Sequence, residues 1–130
     1  MSIVGFVCKR YEKGKINMEN GKEIYDYIIG LLADDTIEEV YNIDDGIVRT
    51  VDKDNHKKIL RALSASEVVA FVEYFLHVLQ TDNPDMEVNI NEEFSLFCKI
   101  NVLGKSKKIW FSAVLSEKLI IFPQFNIRIS

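Results

Sequence analysis

From Ser64 to Gln80 the chain reads SASEVVAFVEYFLHVLQ, and its apolar residues return every three or four positions. Val68, Val72, Phe75, Leu76 and Leu79 fall on one stripe, widened by Phe71 and Val78. That period predicts a helix buried along one side. Ser64 followed by Glu67 has the spacing of a capping box, in which each side chain satisfies the other's backbone N–H. TDNPD ends the helix, and His77 falls on its polar side. An earlier stretch, KEIYDYIIGLLADD, sets Ile24, Tyr27, Ile28, Leu31 and Leu32 at the same spacing. It predicts a helix from Lys22 to Ala33, with Gly30 a tolerated weak point. Asp34 and Asp35 would then stand at the negative end of that helix, so they read better as a loop or as the start of the next element.

Elsewhere the period shortens to two. FSLFCKINVL alternates Phe94, Leu96, Cys98, Ile100 and Val102 against Ser95, Lys99 and Asn101. KIWFSAVL alternates Ile109, Phe111, Ala113 and Leu115. Such alternation predicts strands with one buried face. GKSK and SEK read as turns between them, and LIIF, Pro123 and FNIRI follow. Pro123, with no N–H to give a ladder, should break that strand or mark a sheet edge. Ile3–Cys8, Lys57–Leu63 and Met86–Ile90 are further short strands. TIEEVYNIDDGIVRTVD supports two readings. Thr36 and Glu39 match a capping box, whereas Asp45-Gly46 between IEEVYNI and IVRTV signals a hairpin. The hairpin is preferred because β-branched residues dominate both arms. The order predicts an α+β fold in a single domain over residues 1–130. Its sheet is antiparallel, with a meander in the C-terminal half, and two main helices pack on one face.

At 130 residues and 48% apolar content the chain can bury a core without disulfide or metal staples. No apolar run approaches the roughly 20 residues of a membrane helix. The apolar patch in SIVGFVCKRY is too short for a signal peptide and its positive charges follow it, so a leaderless, cytoplasmic protein is expected. Cys8 and Cys98 sit in apolar strand-like runs and read as buried free thiols.

Net charge is −4, unevenly distributed. Residues 34–48 carry six acids and no base, residues 62–98 carry seven and none, and the tail from Lys99 is basic. An acidic face follows if folding keeps the two acidic blocks together.

Motifs for catalysis are missing. DKDNHKKIL opens like a calcium loop at Asp52 and Asp54, but Lys57 stands where glycine is required and Leu63 where a bidentate glutamate belongs. Cys8, Cys98, His56 and His77 have no metal-knuckle spacing. The chain has no G-x-S-x-G elbow, no dinucleotide fingerprint and no phosphate loop. KSKKIWF sets three lysines beside Trp110 and Phe111. It reads either as phosphate contact with base stacking or as a charged turn entering a core strand. The second reading is preferred in a chain of net negative charge, and no direct nucleic-acid contact is expected. The reading is a non-enzyme with no cofactor and no bound metal.

DDTIEEVYNIDD threads Ile37, Val40, Tyr41 and Ile43 among six carboxylates. Charge speeds encounter with a basic partner, and apolar and aromatic residues hold the complex. Asp34, Asp35, Glu38, Glu39, Tyr41, Asp44 and Asp45 are the expected partner-binding residues, with Ile37, Val40 and Ile43 filling partner pockets. The opening IVGFVCKRYEKGK and the following EIYDYIIGLL, in a small acidic chain without an active-site motif, resemble the immunity proteins of bacterial polymorphic toxin systems, including contact-dependent growth inhibition. That resemblance implies tight binding to a cognate toxin C-terminal domain, often a nuclease, inside the producing cell. The other readings are a subunit or adaptor joining an assembly through exposed strand edges near Pro123 and the C-terminus, and a small hydrolase with an unrecognised site.

Overall fold

The structure, a computed structural model, describes residues 18–43, 45–85, 93–115 and 122–130. The strands expected at Ile3–Cys8 and Met86–Ile90, most of LIIF, and Cys8 and Asp44 lie outside them. In chain order the described elements are α1 (Met18–Leu32), β1 (Ile37–Asn42), β2 (Ile47–Asp52), β3 (Lys57–Ala62), α2 (Ala65–Asp82), β4 (Glu93–Val102), β5 (Lys105–Val114) and β6 (Gln124–Ile129). The six strands form one antiparallel sheet in the order β3-β2-β1-β6-β5-β4. Two three-stranded meanders are thus joined along one seam, β1 against β6.

The α2 capping box forms as its sequence implies. Ser64 Oγ accepts from Glu67 N at 3.2 Å, and Glu67 Oε1 accepts from Ser64 N at 2.9 Å. All of Val68, Phe71, Val72, Phe75, Leu76 and Leu79 are buried. Ile24, Ile28 and Leu32 of α1 meet them, and both helices pack on the face carrying Val40, Val48, Ile100, Ile109, Phe111, Phe125 and Ile127. Phe75 stacks on Phe111 with ring centroids 4.2 Å apart, and Phe71 lies 4.8 Å from Phe125. The helices touch closely at Gly21, where an added Cβ would stand 2.6 Å from the Ala70 carbonyl oxygen. That contact explains why α1 begins at Met18, a turn before the expected Lys22. The turn formers of NMENGK are overridden by a tertiary approach only glycine permits.

The hairpin reading of Thr36–Asp52 holds. Thr36 does not cap a helix; its amide and hydroxyl both donate to Asp34 Oδ1, at 2.9 and 2.7 Å. Gly46 has φ +73°, and a Cβ there would sit 2.3 Å from the Leu63 carbonyl oxygen. Two expectations are corrected. The β4–β5 turn is Leu103-Gly104, both at positive φ, so GKSK lies mostly in β5. Positive φ at both central residues is what a two-residue type I′ turn demands. Of the two roles expected of Pro123, the sheet edge is overturned: the residue immediately precedes β6, which is paired on both sides. Proline is tolerated there because the ladder begins one residue later, and its carbonyl instead accepts from Asn42 Nδ2 at 2.9 Å. β6 therefore presents no free strand edge.

Candidate protein-docking face

Alternation decides which side chains leave the core. Val40 points into it and is fully buried, so it cannot fill a partner's pocket as expected. Its neighbours Glu39 and Tyr41 point to the opposite, helix-free face, half-buried among their strand neighbours. There Glu39 pairs across the seam with Arg128, and Tyr41 with Asn126. Asn126 Nδ2 donates a short hydrogen bond to Glu39 Oε2. A recess of about 220 Å³ opens beside Tyr41, bordered also by Ser112, Gln124 and Asn126.

The remaining expected residues do not form one free acidic surface. Asp35 meets two cations of β5, Lys107 Nζ at 3.1 Å and Lys105 Nζ at 3.5 Å. Lys107 Nζ, mostly buried, also donates to the Leu32 carbonyl at the end of α1. A helix with no basic residue of its own in its last turn thereby gains a positive charge at its negative end. The hydrogen bond from Lys107, with the charge of Lys105, holds the Asp35 carboxyl below the usual range. The Thr36 hydroxyl and amide do the same for Asp34. Glu38 and Asp34 are exposed, and Ile43 keeps nearly half its surface open in the loop after β1.

Asp45 is held by Arg49, whose guanidinium makes contacts of 2.7 and 3.1 Å to the two carboxylate oxygens. That hydrogen bonding, with the Ile47 amide, lowers its pKa to about 2. A depressed folded value contributes stability that is full above the ordinary carboxylate pKa and lost as pH falls through the folded one. Asp45→Asn should therefore lower Tm at neutral pH and flatten the decline in Tm on acidification from about pH 5 to pH 2. Thermal melts of both proteins across that range check it; parallel curves would show that the Arg49 contact is not held in solution.

Asp52, Asp54 and His56 come within 4.8 Å of one another at the β2–β3 turn. The Asp52 carboxylate accepts the amides of Asp54 and His56 at 2.9 and 2.8 Å, so it builds the turn that holds Asn55 at φ 64°. Cys98 is a free, half-buried thiol, and burial pushes its pKa up to about 11, which leaves it protonated and inert at neutral pH. His77 is exposed. No helix among the described residues is long and apolar enough to cross a membrane.

The helix-free face also carries an aromatic pair that the sequence reading did not name as a site. Trp110 stands opposite Phe97 in the β4–β5 ladder and opposite Arg128 in the β5–β6 ladder, and both rings are largely open. Strict alternation in FSLFCKINVL and KIWFSAVL already put both residues out of phase with the core positions; that was the available signal. Compared with protein-family models and with curated proteins, the chain matches none.

Proposed function

We propose that the chain is a non-catalytic protein-binding inhibitor, an immunity protein that neutralises a cognate bacterial toxin domain in the cytoplasm of the producing cell. The observation that carries this reading is Tyr41, beside an open recess on the helix-free face of a central strand, with Glu39 next along it. Tyrosine, tryptophan and arginine are the residues that most often hold a protein interface, and Tyr41, Trp110 and Arg128 share this face. The rigid sheet beneath lets them dock with little loss of freedom. Glu38, Asp34 and Glu39 supply the negative charge that would meet a basic partner, such as the phosphate-binding cleft of a nuclease toxin. Asp35 and Asp45, matched within the chain, contribute mainly to holding the loop.

The partner is to be captured by crosslinking in the source cell and identified, and its affinity for variants measured at two salt concentrations. Tyr41→Ala should weaken binding at least tenfold, chiefly through faster dissociation. Glu38→Lys should slow association and reduce the salt dependence, leaving dissociation nearly unchanged. Unchanged affinity in both variants would remove this face from the interface, and turnover of a small molecule by the purified protein would overturn the inhibitor reading.

A further inference from the structure

The Phe97 and Trp110 rings lie with centroids 5.1 Å apart and planes at 60°. They remain 47% and 44% exposed on the face away from the helices. The next outward pair along the same ladder is Lys99 opposite Lys108. Arg128 flanks Trp110 from β6. Among the described residues, none of these three cations has a carboxylate within ion-pair distance. Like charges directly opposite each other weaken a sheet, and so does leaving large aromatic rings in water. Here both occur together on adjacent outward positions. An anionic ligand with flat apolar faces would relieve both.

We propose that Phe97, Trp110, Lys99, Lys108 and Arg128 form a binding site for single-stranded nucleic acid, with bases on the rings and phosphates on the cations. An acidic peptide would satisfy the lysines and leave the rings without a flat partner. Every nucleotide brings both a π-face and a charge, which is the pairing these five side chains offer. An open sheet face also gives unstacked bases room to spread. The site adjoins the docking face of the inhibitor reading and shares Trp110 and Arg128 with it; Tyr41 and Glu38 lie outside the patch, so their variants test that reading separately.

The acids near this patch limit its extent. Glu39, across the seam from Arg128, gives an oxygen to Asn126. Asp82 and Asp85 share an opening with Phe97, Cys98 and Lys99 at the C-terminal end of α2. The strand of nucleic acid therefore runs from Phe97 and Lys99 across Trp110 and Lys108 toward Arg128, with that opening on its flank. More distant carboxylates are screened beyond about 10 Å at moderate salt.

Trp110 is the only tryptophan in the chain, so its emission reports the site directly. Titration of the intact protein with a short oligodeoxythymidylate at low salt should quench that emission saturably. Two to three phosphate contacts should make log Kd rise with log salt at a slope of about 2. The anisotropy of a labelled oligonucleotide should show roughly tenfold weaker binding for Trp110→Ala, and a smaller loss for Trp110→Phe, which keeps a stacking face. Lys99→Glu combined with Lys108→Glu should abolish binding. Absence of quenching and of any anisotropy change with the wild-type protein at low salt would overturn the proposal. Equal quenching by polyglutamate of matched charge would also overturn it, in favour of an acidic protein segment.

Discussion

Replacing Phe75 by aspartate should leave a chain that no longer melts cooperatively. Phe75 is fully buried on α2, stacked on Phe111 and in contact with Phe71 and Tyr25 at centroid distances of 5.9 Å. It links both helices to the middle of the sheet. Truncating a buried phenylalanine alone costs about 3–5 kcal/mol. An unpaired carboxylate in its place adds several kcal/mol more, or must take up a proton to remain inside. A domain of this size has roughly 5–15 kcal/mol to lose. Circular dichroism and a thermal melt of Phe75→Asp decide the matter, with Phe75→Leu as the comparison that keeps an apolar side chain. A sharp transition near that of the wild type would mean that α2 does not form the centre of the core.

Asn42→Ala should produce the second-largest loss, from a polar side chain. Asn42 is buried at the end of β1, and all its bonds go to backbone. Its Nδ2 donates to the Ile43 and Pro123 carbonyls at 3.0 and 2.9 Å, and its Oδ1 accepts from Phe125 N at 2.7 Å. It thus fixes the start of β6 against the end of β1. Alanine would leave the buried Phe125 amide without its acceptor, at about 1–3 kcal/mol, and two part-buried carbonyls each short of a donor at smaller cost. The expected sum is about 3 kcal/mol, or roughly 10 °C in Tm for a chain of this length. Urea melts of Asn42→Ala measure it; a loss below about 1 kcal/mol would mean that water replaces the amide without penalty.

What the sequence made legible was local. The α2 stripe and its capping box need only neighbours within one turn, and both are found. The alternation of β4 and β5, and the Asp-Gly turn after β1, are equally short-range. Apart from the β4–β5 turn, a local feature, the misread features depend on distant partners. Nothing near Pro123 says that its strand will slot between β1 and β5. Nothing near Asp35 says that Lys105 and Lys107 will reach it from β5 and serve the end of α1 as well. The acidic run looked uncompensated because two of its cations, Lys105 and Lys107, lie some seventy residues away in sequence, and the third, Arg49, stands just past its end. Charged neighbours in sequence make Val40 read as a surface residue, although its register with Ile127 and Phe111 places it in the core. The alternation of KIWFSAVL leaves Trp110 out of phase with the core, and it is found facing outward.

The seam between β1 and β6 bears on how the protein is made. Among the described strands every other pairing joins elements consecutive in sequence, so each meander can zip as its residues emerge from the ribosome. The seam waits for Gln124–Ile129, whose partners in β1 were synthesised more than eighty residues earlier. Until then the N-terminal ribbon holds one side of β1 unpaired, an edge on which a neighbouring nascent chain can add its own strand. Polysomes crowded with this message are where misassembly would begin, and a prolonged pause before residue 124 would make it worse.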